Sequence, residues 1–345
     1  MKVLILKVNQ LGDNLIFLPV VQSLVQRLAR EQVHLYTTDL ARQLYENFLP
    51  SENIHAYSKD RFNQSWKHPG FFLRLIQEIR SIRADMVLLP YDQGNAARLL
   101  ALFSGAKYRV GVKNPRTRTN WCLNHGIEAE ASMPAAERDW VLLGEIANIL
   151  GFDDVEKSPP APGITSLLED LSEMSSRRVM IHAGASREYK QWPMERFVAL
   201  ASRLIEEGFE VVWAEQKNDE EKNLSSSVHF LAAGSLRDFI RELGKCRYFI
   251  GNNSGPMNLA NALGLASLIF SGPSPTIWDP YWHQDRIINL RLPELSCQPC
   301  DTLIAPVNFC QNKEEPMACM KRWSVESVFA EFEKLVKKAE QRVGA

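Results

Sequence analysis

The sequence predicts an α/β protein in which two Rossmann-like, doubly wound domains each hold a largely parallel sheet between layers of helices. Apolar runs rich in Val, Ile and Leu alternate with amphipathic stretches along most of the 345 residues, which is typical of repeated βαβ units. The runs are nearly continuous, so the strands are expected to be buried on both faces. The length suits two cores, and the densest group of Pro and Gly residues, at 158–163, marks the predicted linker.

The predicted domains are residues 1–160 and 161–325, followed by a closing C-terminal helix in 326–345. In the first domain, the pattern predicts strands at 3–8, 33–37, 53–57, 86–90 and 108–112, with helices at 15–30, 40–48, 71–83, 96–103 and 134–150. In the second domain, it predicts strands at 178–182, 210–214, 228–232, 248–250 and 267–271, with helices at 194–206, after Asn218, at 236–243, at 254–263 and at 325–338.

Composition and charge exclude several classes of protein. A hydrophobic content of 45% with 23% charged residues is that of a soluble globular protein, and no apolar run reaches the ~18 residues that cross a bilayer. The first eight residues are too short for the apolar core of a signal peptide, so we expect a first strand and a cytoplasmic protein. The net charge of -1 argues against nucleic-acid binding.

The basic residues are unevenly placed. No acidic residue occurs from Gln93 to Ile127, whereas six basic residues do, and Arg116 and Arg118 lie in a Pro-containing loop after a predicted strand. These charges are interpreted either as ordinary solvated surface or as a site for an anionic substrate.

Four of the six cysteines, Cys297, Cys300, Cys310 and Cys319, cluster near the C-terminus. Their spacing allows a zinc site. The alternative is a set of reduced, buried thiols, because a cytosolic chain keeps unligated cysteines reduced. We expect no metal or other cofactor to be required.

The strand at 248–250 runs through small residues into a helix that begins at Ser254, and this arrangement predicts an anion site. The first backbone N–H groups of a helix have no intrahelical acceptor, and the helix dipole places positive charge there. A diphosphate fits such a site. The same turn carries two neutral amides, Asn253 and Asn258.

Two further candidates follow predicted strands, at the carboxyl end where open parallel sheets bind ligands. Asp13 is either a helix N-cap or a carboxylate that takes a proton from a substrate hydroxyl. Lys190, just before Trp192-Pro193, is either an exposed lysine or a cation that neutralises a phosphate.

The order and spacing of several short motifs resemble glycosyltransferase family 9, the lipopolysaccharide heptosyltransferases, over nearly the whole chain. The matching pieces are Leu11-Gly12-Asp13 with Leu18-Pro19, Lys190 before Trp192-Pro193, Gly234-Ser235-Leu236, Asn253-Ser254-Gly255-Pro256-Met257, residues 270–273 and the cysteine-rich tail. The resemblance implies a GT-B fold of two Rossmann-like domains, with the acceptor bound by the first and the nucleotide sugar by the second.

The resemblance also implies roles for individual residues. Asp13 matches the general base, and Arg116 and Arg118 match the site of the anionic acceptor. Lys190 matches a catalytic and phosphate-binding residue. The remaining donor-binding residues that it implies are Gly12, Ser186, Glu220 for the ribose, Asn253, Ser254, Gly255, Pro256, Met257 and Asn258. The family usually has Asp and His where this chain has Asn253 and Asn258.

The expected function is inverting transfer of heptose from ADP-heptose to the lipopolysaccharide inner core. The expected partners are the nucleotide sugar and an anionic glycolipid or oligosaccharide, with peripheral contact on the cytoplasmic face of the inner membrane. Three alternatives stay open: a different donor sugar, a homologue that binds a nucleotide sugar without turnover, and a GT-B enzyme of another type such as an epimerase.

Overall fold

The computed structural model describes residues 1–168, 175–214, 228–231, 234–302 and 307–341. The chain divides into two compact units, Met1–Gly163 and Ile164–Ala345. Glu220 and the helix predicted after Asn218 lie outside the described residues.

The first unit is built on a parallel sheet in which six strands are described, in the order β3-β2-β1-β4-β5-β6. Its strands are β1 Val3–Leu6, β2 Val33–Thr37, β3 Ile54–Ala56, β4 Met86–Leu89, β5 Tyr108–Val112 and β6 His125–Ile127. The chain leaves β1 towards β2 and leaves β4 towards β5, in opposite directions across the sheet. The loops after β1 and β4 therefore diverge, and open α/β sheets bind ligands in the crevice at such a switch point.

Helices cover this sheet and complete the first core. They are α1 Leu11–Arg27, α2 Asp39–Tyr45, α3 Lys59–Asn63, α4 Pro69–Ile82, α5 Asn95–Phe103 and α6 Ala135–Leu150. On α4, the buried residues Leu75, Ile79 and Ile82 recur at helical spacing and pack against the apolar side chains of β1 and β4.

The second unit repeats this plan, with the described strands in the order β12-β11-β10-β7-β8-β9. Its strands are β7 Arg178–His182, β8 Glu210–Trp213, β9 His229–Phe230, β10 Tyr248–Asn252, β11 Ala266–Phe270 and β12 Ile287–Leu290. All of these neighbours pair in parallel, and the switch point lies between β7 and β10. The loops after these two strands are the second place where a ligand is expected.

The helices described in the second unit are α7 Met194–Glu206, α8 Leu236–Gly244, α9 Gly255–Ala262, α10 Ala318–Lys321 and α11 Val325–Gln341. The C-terminal helix α11 buries Phe332 and Leu335 in the second core, where it packs against α7 and β11.

Most predicted elements agree with the structure within a few residues, and the differences have physical reasons. Strands β6 and β12 were missed because they are short edge strands: β6 carries His125 and Gly126, and β12 carries Asn289. Helix α1 begins at Leu11, four residues earlier than predicted, so that Asp13 lies inside its first turn. None of the helices in the described ranges is both long and apolar enough to cross a membrane.

Candidate active site

The first candidate site lies at the switch point between β1 and β4, where α1 begins just after β1. Gln10 occupies the N-cap of α1, and Asp13 is the third residue of the helix. The interpretation of Asp13 as the N-cap is therefore wrong. Gly12 precedes it and is buried. The partly buried Asp13 carboxylate accepts no hydrogen bond from any residue that the structure describes, so it is available to a ligand.

A buried ion cluster lies beneath Asp13. Lys7, at the carboxyl end of β1, donates through Nζ to Asp92 Oδ2 and to Asp139 Oδ2, both at 2.9 Å. Asp92 follows β4 and also accepts hydrogen bonds from Asn9 Nδ2 at 2.5 Å and from Gln93 Nε2 at 2.9 Å. The cluster thus joins Lys7, at the end of β1, to Asp92, after β4, across the switch point. Helix α6 contributes Asp139.

The cluster controls the charge on Asp13. Burial and the negative charge of Asp92 raise the pKa of Asp13 to about 6, although the positive charges of Lys7 and Lys59 oppose the shift. Burial alone would raise the pKa of Asp92, but Lys7 and three hydrogen bonds lower it overall. Asp92 is therefore the ionised member of the pair, and Asp13 titrates near neutral pH. A carboxylate in this position can act as a general base at neutral pH, where it is largely ionised and still basic enough to accept a proton.

Sequence reasoning missed Lys7, Asp92 and Asp139. For two of these residues the sequence contains a signal that points to a functional role. Lys7 interrupts the apolar run Val3-Leu-Ile-Leu-Lys-Val8, and a charge inside a buried strand requires a partner. Asp92 follows the predicted strand at 86–90, at the edge that binds ligands. Asp139 lies in the middle of an amphipathic helix and gives no such signal.

Arg116 and Arg118 lie exposed in the loop after β5, as the sequence predicts. The loop is closed because Asn120 Nδ2 donates to the Asn114 carbonyl at 2.8 Å. It is held beside the Asp92 loop because Asn114 Nδ2 donates to the Tyr91 carbonyl at 3.0 Å. The loop that carries the two arginines is thus held at the end of β5, next to the strand end that carries Asp92.

Other basic residues of the acid-free stretch serve the fold. The buried Arg98 donates to the carbonyls of Gln93 and of Val112, the latter at 2.8 Å, and Arg109 Nε donates to the Cys122 carbonyl at 2.7 Å. For these two residues the interpretation as anion-binding groups is wrong.

The second candidate site lies at the switch point between β7 and β10. Ser254 is the N-cap of α9, and its side chain makes no capping hydrogen bond; its Oγ is buried without a hydrogen-bond partner among the described residues. Gly255 and Pro256 open the helix, and Met257 is buried behind them. The first amides of a helix have no intrahelical acceptor, so this turn, with its unused hydroxyl, suits an anion.

The backbones of β7 and β10 approach closely at this site. A Cβ on Gly251 would lie 2.8 Å from the His182 carbonyl oxygen, so this position requires glycine. Asn252, also missed from the sequence, accepts from the Trp192 amide at 3.0 Å and donates to the Ala183 carbonyl at 2.5 Å. This buried side chain therefore ties the loop after β7 to the end of β10.

Lys190 and Ser186 both lie in the loop after β7. Ser186 is exposed, whereas the side chain of Lys190 is mostly buried and forms an ion pair with Asp301. Asp301 belongs to the cysteine-rich segment and is itself held by its amide, which donates to the Pro273 carbonyl at 3.0 Å. The interpretation of Lys190 as one more exposed lysine is wrong, and its position is fixed by a residue that sequence reasoning missed.

The two amides of the β10–α9 turn behave differently. Asn253 donates through Nδ2 to Ser271 Oγ at 3.2 Å and to the Trp278 carbonyl and Asp279 Oδ1, both at 3.3 Å. Asn258 is almost buried on α9, and its side chain makes no hydrogen bond to a described residue. Asn253 thus serves as a donor within the protein, and Asn258 retains its hydrogen-bonding capacity.

The four clustered cysteines line one small cavity, with Cys319 the most buried. In the described part of the chain, no group of three or more His, Cys, Asp or Glu side chains is arranged to hold a metal ion. Gly272, which follows β11, lies against α10: a Cβ there would meet Met320 Sδ at 2.6 Å.

Comparisons with known proteins agree with this architecture. The family model of glycosyltransferase family 9 (heptosyltransferase) matches residues 72–306. Lipopolysaccharide heptosyltransferase 2 of Salmonella typhimurium is 26% identical over 248 residues, which cover 63% of this chain and 68% of that protein. The Escherichia coli protein of the same name is 29% identical over 132 residues, which cover 34% of this chain and 38% of that protein.

Solved structures extend the likeness to both units. The E. coli heptosyltransferase WaaC with ADP-2-deoxy-2-fluoro heptose superposes with a TM-score of 0.69 and 18% identity, over 97% of this chain and 99% of that one. The E. coli ADP-heptose lipopolysaccharide heptosyltransferase II superposes with a TM-score of 0.67 and 21% identity, over 99% of this chain and 100% of that one. At such identities the likeness shows the fold, which is GT-B. Because the family match covers more than half of the residues, the chain belongs to glycosyltransferase family 9 and is a glycosyltransferase.

Proposed function

We propose that the protein is an inverting heptosyltransferase that transfers heptose from ADP-heptose to the lipopolysaccharide inner core on the cytoplasmic face of the membrane. The observation that carries the proposal is the Asp13 carboxylate, which has no hydrogen-bond partner among the described residues and has a pKa raised to about 6. The names of the relatives support the sugar and the acceptor, since both matched curated proteins are lipopolysaccharide heptosyltransferases, and the superposed E. coli enzyme is named for ADP-heptose.

In the first unit, Asp13 takes the proton of an acceptor hydroxyl as that oxygen attacks the anomeric carbon of the donor. Asp92 stays ionised and keeps the pKa of Asp13 high enough for the carboxylate to hold the proton it receives. Arg116 and Arg118 bind anionic groups of the acceptor, because an exposed guanidinium pairs well with phosphate or carboxylate.

In the second unit, the first turn of α9 binds the diphosphate of the donor. Ser254 Oγ and the amides of Gly255 and Met257 are the hydrogen-bond donors, and Lys190 and Ser186 contribute from the loop after β7. These groups stabilise the negative charge that grows on the leaving nucleotide, and each charge-assisted hydrogen bond is worth about 1.5–3 kcal/mol. Glu220 is proposed to bind the ribose.

The test is a transfer assay with purified protein, ADP-heptose and a lipopolysaccharide acceptor that lacks heptose. Mass spectrometry should show the acceptor gaining one heptose, and the Asp13→Asn variant should lose this activity. A thermal-shift comparison of ADP, UDP and GDP sugars provides the second measurement. If only nucleotides without adenine stabilise the protein, the heptosyltransferase proposal fails.

A second candidate is transfer of a different sugar by the same mechanism. It is favoured by Asn258, whose uncommitted amide occurs where the resembling family usually has His. An uncharged amide can both donate and accept hydrogen bonds, so it suits a different arrangement of sugar hydroxyls from the one that His would contact. Product formation with another ADP sugar, but not with ADP-heptose, would select this candidate.

A further inference from the structure

The second unit contains a cavity at the edge of its sheet opposite the switch point. The cavity has a volume of about 290 Å³ and lies where β10 and β11 begin. Its other walls are the short 3-10 helix Gln284–Arg286 and the last turns of α11. The volume equals that of roughly ten molecules of liquid water, so a small organic molecule fits.

This cavity is separate from the anion site at Ser254. Arg247 lines the cavity and immediately precedes β10, whereas Asn252 is the last residue of that strand. A strand rises about 3.3 Å per residue, so the five-residue β10 separates the two places by roughly 16 Å. No residue proposed for transfer is among the described residues that line the cavity.

The floor of the cavity is apolar. It is formed by the buried side chains of Leu265, Ala266, Leu335 and Cys246. The Cys246 thiol donates to the Glu242 carbonyl at 3.4 Å, and burial raises its pKa to about 12. Cys246 is therefore a small apolar lining group rather than a nucleophile, and the floor suits a hydrocarbon.

Three cations also line the cavity, and none of them forms an ion pair with a described residue: Arg247, Arg286 and Lys338. Arg286 and Lys338 are exposed, so they lie at the mouth. Arg286 Nη1 donates to the Gly264 carbonyl at 2.8 Å, and Arg247 Nη2 donates to the Ala339 carbonyl at 3.0 Å. These bonds hold the two guanidinium groups in place and leave further N–H groups for a ligand.

The charges around the cavity are unbalanced. Among the described residues that line it, Asp285 is the one acid, so positive charge is in excess. On the same face of α11, Lys334 Nζ is paired with Glu331 at 2.6 Å, whereas Lys338, one turn further on, has no such partner in the described part of the chain. A positive mouth above an apolar floor is complementary to a molecule that has a hydrocarbon body and an acidic group.

We infer that this cavity binds a small amphiphilic anion, with a short hydrocarbon body and a single carboxylate or phosphate group. The body packs against Leu265, Ala266 and Leu335, and its removal from water favours binding. The acidic group contacts Arg286 and Lys338, because a guanidinium and an ammonium both form charge-assisted bonds with such groups. The cations thereby discriminate against neutral molecules of the same size.

The experiment is isothermal titration calorimetry of the full chain with octanoate and with octyl phosphate, each below its micelle concentration. At least one of these two octyl anions should bind with a stoichiometry of one, and the tighter of the two identifies the acidic group. Octan-1-ol and acetate should bind at least about tenfold more weakly, because each lacks one half of the interaction. Saturating ADP should leave the titration unchanged, because the cavity is separate from the turn at Ser254.

Variants locate the bound anion. Lys338→Met/Arg286→Met should bind it at least about tenfold more weakly, through loss of two charge-assisted contacts. Ala339→Phe should fill the cavity and abolish binding. Lys337→Met is the matched control, because Lys337 is the neighbouring exposed cation on α11 and does not line the cavity. Asp13→Asn should bind the anion normally, so a failure of the transfer mechanism is distinguishable from a failure of this site.

Circular dichroism checks that each variant is folded. Lys338→Met alone removes only an exposed side chain, so it keeps the test decisive if either of the other cavity variants does not fold. This single variant should bind the octyl anion measurably more weakly than Lys337→Met does. Equal binding by these two variants, displacement of the anion by ADP, or no binding of either octyl anion would overturn the inference.

Discussion

Replacing Asp13 by Asn should abolish transfer and, at the same time, stabilise the first unit. The carboxylate is partly buried, accepts no hydrogen bond from a described residue and lies near the ionised Asp92. Keeping it ionised therefore costs folding free energy. Asn has nearly the same shape and removes the charge, so the fold loses an unfavourable interaction while the reaction loses its base.

The magnitude follows from the pKa. The value for Asp13 rises from 3.8 to about 6 in the folded protein. Each unit corresponds to about 1.4 kcal/mol, so ionised Asp13 destabilises the fold by roughly 3 kcal/mol. This figure is already net, because the folded pKa includes the favourable interactions of the carboxylate with the helix dipole and nearby cations. The expected gain for Asp13→Asn is about 3 kcal/mol at about pH 8, or roughly 6–12 °C in Tm for a domain of this size.

The pH dependence gives the sign of the effect. Above the folded pKa of about 6, Asp13 is ionised in both states and the full cost is present. As the pH falls through 6 towards 3.8, the folded protein takes up its proton first, and the cost disappears. The stability gain of the variant should therefore fade in acid.

Calorimetric unfolding at several pH values measures the gain, and mass spectrometry of the acceptor measures transfer. Asp39→Asn is the matched control because Asp39 is an exposed acid in the first turn of α2 and should lose only the dipole interaction. An Asp13→Asn protein that is less stable than the unchanged protein, or that retains full transfer activity, would refute the reasoning.

Three further predictions concern the groups around the two switch points. Asp92→Asn should move the acid limb of the kcat/KM profile below about pH 6, because Asp13 loses a negative neighbour; an unmoved limb would contradict the coupling. Lys190→Met should lower kcat/KM about 10- to 100-fold through loss of a charge-assisted bond, and unchanged donor kinetics would show that Lys190 only anchors Asp301. Asn253→Asp should cost about 1–3 kcal/mol of unfolding free energy, because a carboxylate would face Asp279 and a carbonyl; unaltered denaturant unfolding would contradict this.

The sequence predicted the elements that carry strong periodicity, and it failed where the pattern is short. Strands Val3–Leu6 and Met86–Leu89 lie within their predicted bounds because a strand buried on both faces is a continuous apolar run. Strand His125–Ile127 has three residues, one of them glycine, and its pairing with β5 creates it. Backbone pairing of this kind leaves no trace in the residue pattern.

The sequence by itself determined two α/β domains, a helix start at Ser254 that suits an anion, and Asp13 and Lys190 at strand ends. These features depend on local periodicity and on the chemistry of single residues, and both can be read directly from the order of residues in the sequence. Only the tertiary structure decided that Lys7 joins Asp92 to Asp139, that Asn252 ties two strand ends, and that Asp301 fixes Lys190. Each of these contacts joins residues far apart in sequence. Parallel pairing brings together the ends of β1 and β4, and of β7 and β10, which whole βα units separate along the chain, and packing adds Asp139 from α6 and Asp301 from the cysteine-rich segment.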